Sequence, residues 1–174
     1  MKNYKEKLKD ITTFVFDFDG VLSNGKIIVV PDGDQLRMTD VKDGYAMQYA
    51  LRRGYRICII SGGYSESMRL RYLHFLPTVT VYLSVSDKKK VFAEYITQHR
   101  INPEHVVYMG DDIPDYEVMQ MVGLKTCPAD ASIEIQETAH YISHRKGGDG
   151  CVRDIIEQTL RCQGNWFKED AFIW

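Results

Sequence analysis

An alternation constrains this chain more than any other feature. Five short apolar runs, "TTFVFD" (12–17), "YRICII" (55–60), "VTVYL" (79–83), "HVVYMG" (105–110) and "LKTC" (124–127), are β-branched or aromatic and too short for helices. Between them lie stretches with helical spacing at about 43–53, 64–76, 87–100 and 112–121. In the third, Val91, Phe92, Tyr95, Ile96 and His99 fall on one helical face. Ser86 or Asp87 can cap its start, and "INP" (101–103) ends it. Further helices are expected over 131–139 and 151–161, with "HYISHRKGGDG" (140–150) a short strand running into a glycine-rich loop. Strands alternating with helices imply an α/β fold, a parallel sheet covered on both faces. A length of 174 residues suits one domain, 1–174, with one sizeable core.

One segment breaks the alternation. "KIIVVPDGDQLRMT" (26–39) is two strand-like runs around a turn signal, a β-hairpin. "IIVV" is apolar at both parities, so both faces of that strand call for burial, against the parent domain or against neighbouring subunits. With a net charge of −2, the chain is not built for nucleic acid, whose phosphates are met by clustered Lys and Arg. The start, "MKNYKEKLKD", has no apolar core of a signal peptide, and no run approaches membrane-spanning length. Cys58, Cys127, Cys151 and Cys162 are widely spaced with no CxxC and read as reduced thiols of a cytoplasmic protein. The five histidines show no ligand spacing.

The chemistry gathers at strand ends. In a strand, i and i+2 share a side, so Asp17 and Asp19 can face one site while Phe18 faces away. Paired carboxylates there occupy the place where open α/β sheets bind ligands. Their repulsion is relieved by a cation or a shared proton; a divalent metal is the simplest relief, and oxygen ligands suit Mg²⁺. Gly20 lets the backbone turn closely. "IISGG" (59–63) offers the Ser61 hydroxyl and the Gly62 N–H at a helix start, a phosphate cradle. "SDKKK" (86–90) places Lys88 in a first helical turn, where the dipole disfavours a cation unless an anion is near. "YMGDDIPD" (108–115) adds Asp111, Asp112 and Asp115.

In this order the four segments resemble the motifs of the haloacid dehalogenase superfamily of phosphatases: "DFDGVLSNG", Ser61, Lys88 and "GDDIPD". Within it the chain is most similar to the capless 3-deoxy-D-manno-octulosonate 8-phosphate (KDO 8-phosphate) phosphatases, through "VKDGYAM", "CPADA" and "RKGGDGCVRD" as well. Departures fall at Asn24, where an Asp is common, and at Gly63, where a charged residue that helps choose the substrate often stands.

The resemblance implies a Rossmann-like doubly wound parallel sheet with a hairpin flap over 26–39, no cap domain and a C-terminal tail over 162–174. It implies an Mg²⁺-dependent phosphatase of a sugar acid phosphate, working in lipopolysaccharide precursor synthesis. Asp17 would be the nucleophile and Asp19 the acid and base. Ser61, Gly62 and Lys88 would hold the phosphoryl group. Asp17, the Asp19 carbonyl and Asp111 would ligate the metal, with Asp112 and Asp115 behind them holding metal waters or orienting Lys88. Arg71, Arg69 and Lys146 are candidates for the substrate carboxylate, which suits a guanidinium fork. It also implies a homotetramer whose subunits close each other's sites, which the two-sided "IIVV" and the aromatic tail fit.

Three other readings remain. A nine-carbon keto acid 9-phosphate would need the same catalytic residues. A noncatalytic module of this fold would not need both Asp17 and Asp19. A response-regulator receiver lacks the DxD spacing and places its Lys last, whereas Lys88 precedes Asp111.

Overall fold

The computed structural model describes residues 3–173. Its centre is a six-stranded sheet. The strands are β1 (Thr13–Phe16), β4 (Arg56–Ile60), β5 (Thr80–Tyr82), β6 (Val106–Met109), β7 (Leu124–Cys127) and β8 (Tyr141–Ile142). They stand in the order β5-β4-β1-β6-β7-β8, and every neighbouring pair is parallel. The chain builds outward from β1 to one side and then to the other. Its reversal point therefore lies at the carboxyl end of β1, where an open α/β sheet leaves a crevice.

Both faces are buried, with the period of two that a strand imposes. Phe14, Phe16, Ile57, Ile59, Val107 and Met109 enter one core, while Val15, Cys58, Ile60, Val106 and Tyr108 enter the other. The first core is closed by α2 (Val41–Arg52), α3 (Glu66–Phe75) and α7 (Cys151–Cys162). The second is closed by α4 (Lys88–His99), α5 (Tyr116–Met119) and α6 (Ile133–Thr138). A short α1 (Tyr4–Lys7) precedes the sheet. On α7 the buried residues Val152, Ile155, Ile156, Thr159 and Leu160 recur at helical spacing. Asp87 caps α4 by accepting from Lys90 N at 2.9 Å. Among the described residues no helix is long and apolar enough to cross a membrane.

One segment differs from expectation. The helix expected over 112–121 is a 3₁₀ turn at Ile113–Asp115 followed by the single turn of α5. Pro114 fits the first turn of a helix but supplies no N–H to extend it. The tail is folded onto its own chain. Trp166 packs edge-on against Tyr49 at 5.3 Å, Tyr49 Oη accepts from Lys168 N at 2.9 Å, and Arg52 Nη1 donates to Ile173 O at 2.8 Å. Trp174 lies outside the described residues.

The hairpin pairs β2 (Ser23–Val29) with β3 (Gln35–Thr39). Its apolar residues do not pack on the parent sheet: Ile28 is 60%, Val29 65% and Met38 68% exposed.

Asp43, inside α2, caps another helix. Its Oδ1 accepts from Arg153 N in the first turn of α7 at 2.6 Å, while Oδ2 is buried without a partner. Burial pushes this carboxyl up to about 7, against about 3.9 for a free aspartate. Between those values the folded chain keeps a proton that the unfolded chain has released. This group's contribution to stability therefore falls as pH rises from about 4 to about 7. Asp43→Asn keeps an acceptor but does not titrate. Its unfolding free energy, followed by denaturant titration across that window, is expected to lack a component on the order of 3–4 kcal/mol. A variant running parallel to the wild type at every pH would refute the assignment.

Candidate active site

Asp17 follows the last residue of β1 and is tied to β6 by its N–H, which donates to Met109 O at 3.0 Å. The strand thus delivers a carboxylate into the crevice with only 6% of its surface exposed. Lys88 Nζ lies 2.7 Å from Asp17 Oδ1 and 2.7 Å from Asp115 Oδ1. The anion that justifies a lysine at the start of α4 is therefore a pair of the chain's own carboxylates. Tyr108, reaching up from β6, donates to Asp115 Oδ1 at 2.6 Å, and Asp111 N donates to Asp115 Oδ2 at 3.2 Å. Asp115 is thus held on both oxygens and fixes Lys88.

Asp111 completes the group. Oxygens of Asp17, Asp111 and Asp115 all lie within 4.8 Å of one another. Asp111 Oδ1 is buried with no hydrogen-bond partner. One ammonium cannot balance three carboxylates. Burial first, and then the charge of Asp115, push Asp17 well above the usual carboxylate range, against the pull of Lys88. The same two causes push Asp111 up to about 7. Burial alone would lower the Lys88 ammonium, but Asp17 and Asp115 hold it above its ordinary value. A hard divalent cation there would offset the surplus negative charge. An unpartnered buried oxygen beside two more carboxylates fits Mg²⁺.

Gly20 makes this approach possible. It sits at φ +94°, and a Cβ there would lie 1.9 Å from Asp111 Oδ2. The 145–150 loop braces the same turn: Gly148 N donates to Val21 O at 2.9 Å, and a Cβ on Gly147 would lie 1.9 Å from Gly20 O.

Asp19 points elsewhere. Its Oδ1 accepts from Ser23 Oγ at 3.0 Å and from Arg37 Nε at 2.8 Å, and its Oδ2 accepts from Arg37 Nη2 at 3.0 Å. Ser61 is buried after β4, its Oγ accepting from Gly63 N at 3.1 Å, with Gly62 exposed beside it. Helix α3 begins at Glu66, capped by Ser65, so Ser61 and Gly62 stand on a loop rather than at the helix start. Asp112 is exposed. Arg69 is also exposed and paired with Glu66 one turn away. Arg71 lies in the groove between α2 and α3, lined by Gly44, Tyr72 and Phe75 and by none of the carboxylates. Lys146 is exposed on the loop that braces the Gly20 turn.

Sequence reasoning missed Arg37 and Tyr108. The second had a signal, since a tyrosine inside a fully buried strand needs a partner for its hydroxyl.

The family model of haloacid dehalogenase-like hydrolases matches residues 76–155. The chain is 35% identical to the 3-deoxy-D-manno-octulosonate 8-phosphate phosphatase of Salmonella typhi over 158 residues, 91% of this chain and 84% of that one. The enzyme of the same name from Escherichia coli K12 is 34% identical over the same shares. Among solved structures, the Yersinia pestis phosphatase superposes with a TM-score of 0.90 at 30% identity, covering 94% of this chain and 88% of that one. The Moraxella catarrhalis enzyme, solved with a magnesium ion, a phosphate ion and KDO, gives 0.89 at 29% identity, covering 99% and 97%. The chain belongs to the haloacid dehalogenase-like hydrolases, in the family of the 3-deoxy-D-manno-octulosonate 8-phosphate phosphatases.

Proposed function

We propose that this chain hydrolyses 3-deoxy-D-manno-octulosonate 8-phosphate to the free sugar acid and phosphate, with Mg²⁺ as cofactor. The observation that carries this reading is the buried cluster of Asp17, Lys88, Asp111 and Asp115 at the carboxyl end of the central strand. Similarity to phosphatases of that substrate over nine-tenths of the chain supports it.

Asp17 attacks phosphorus as the sugar–oxygen bond to phosphorus breaks, leaving a phosphoryl group on its carboxylate. Asp19 gives a proton to the departing sugar oxygen, then takes one from the water that releases phosphate. Lys88, the Ser61 hydroxyl and the Gly62 N–H hold the phosphoryl oxygens, and Asp115 keeps Lys88 in place. Asp17 and Asp111, with the Asp19 carbonyl, would hold Mg²⁺, which offsets the repulsion between a carboxylate and a phosphate dianion. Asp112, being exposed, is at most a partner for metal-bound water. Among the substrate-selecting candidates, the exposed Lys146 is best placed, on the loop against Gly20, whereas Arg69 is engaged by Glu66.

The whole chain is one catalytic domain, and it assembles as a homotetramer. The exposed apolar residues of the hairpin are the surface a second copy would cover. The unpaired thiols fit a cytoplasmic enzyme.

Asp17→Asn is expected to lower phosphate release more than about 10³-fold while the melting temperature holds; near-normal turnover would sink the nucleophile assignment. A Mg²⁺-dependent screen across sugar phosphates should rank KDO 8-phosphate above a nine-carbon keto acid 9-phosphate, and the reverse order would reassign the substrate. Mg²⁺ must displace the Asp111 proton. Calorimetric affinity should therefore weaken below about pH 7, by about tenfold per unit for each proton displaced. An affinity that is flat from pH 6 to 8 would contradict the charge assignment. Light scattering at micromolar concentration should give a tetramer, and a monomer would refute the assembly.

A further inference from the structure

Arg37 is the best-buried cation of the hairpin, with its side chain only 4% exposed although its strand neighbours Leu36 and Met38 face solvent. Its guanidinium grips both oxygens of Asp19, and it is held from behind by Gln35, whose backbone O accepts from Nη1 at 2.9 Å and whose Oε1 accepts from Nη2 at 3.2 Å. Gly63 makes room for it. A Cβ on Gly63 would lie 2.8 Å from Asp19 Oδ2, 3.0 Å from Arg37 Nη2 and 3.5 Å from Ser61 Oγ. A planar fork is thus stored beside the Ser61 hydroxyl, in a space that a side chain at 63 would fill.

The pairing has a chemical consequence. The fork occupies both oxygens of Asp19, and a guanidinium this buried can leave that carboxylate only for another anion. A carboxylate on the substrate is a match in charge and geometry.

We propose that Arg37 is a specificity residue that binds the carboxylate of the sugar acid phosphate, its guanidinium turning to it from Asp19 beside the space left open at Gly63. This rests on the phosphatase reading above.

The test compares two substrates in the full-length protein with Mg²⁺. KDO 8-phosphate carries the carboxylate and has a poor leaving group. p-Nitrophenyl phosphate carries no carboxylate and has a leaving group that needs no proton. Arg37→Met is expected to lower kcat/KM for KDO 8-phosphate by about 100-fold, the scale of a lost charge-assisted fork, and to change p-nitrophenyl phosphate less than about threefold. Arg37→Lys, which keeps the cation without the fork, should recover part of the loss on the sugar acid alone. Its circular dichroism and melting curve check the fold independently of Arg37→Met. Equal losses on both substrates would make Arg37 a structural support of the site and overturn the inference, as would no loss on either. In both cases wild-type hydrolysis of the two esters leaves the phosphatase reading standing. A wild type inactive on both esters would overturn that reading, and this inference with it.

Discussion

Lys88 between Asp17 and Asp115 is the interaction on which the site depends. A single ammonium, delivered by the first residue of α4, meets carboxylates from the end of β1 and from the turn after β6. Three separately folded segments are thereby brought to one point, and none of the charges is tolerable there alone. Because Asp111 adds a third carboxylate, the formal balance is still short of two positive charges. That shortfall suits a divalent cation.

Small residues decide how close these groups can come. Gly20 admits Asp111, and Gly110 does the same for Asp115, whose Cβ lies 2.4 Å from where a Cβ on Gly110 would be. The acidic cluster is as much a product of missing side chains as of present ones. Gly63 has the same character on the opposite rim, where its open space is taken by the Asp19–Arg37 pair rather than by a residue of its own loop.

Much of this was legible in the sequence, for definable reasons. The central strands were readable because β1, β4, β6 and β7 are short, apolar and largely buried on both faces, and the helices between them because α4 and α7 keep an apolar face. Asp17, Ser61, Lys88 and Asp111 could be singled out because each directly follows a strand or opens a helix, where chemistry accumulates in this fold. Arg37 could not, since a cation in a hairpin strand ordinarily faces water and its partner is 18 residues away. Asp43 was equally hidden: it sits within one helix and caps another 110 residues later. The helix expected over about 64–76 forms as α3, but Ser65 rather than Ser61 caps it, so the serine that ends β4 stands on a loop.

The sheet order bears on which parts of the site can move. β1 is hydrogen-bonded on both sides, to β4 and to β6, and all four of its residues are buried. Its amides belong to the class that exchanges with solvent only when the whole molecule opens. Asp17 is anchored to that class through its own N–H. Arg37 belongs to a two-stranded ribbon outside the sheet, which can breathe on its own. The Asp17 carboxylate and the Arg37 guanidinium thus stand on parts of very different rigidity. A fluctuation of the hairpin can part Arg37 from Asp19 many times before Asp17 shifts at all.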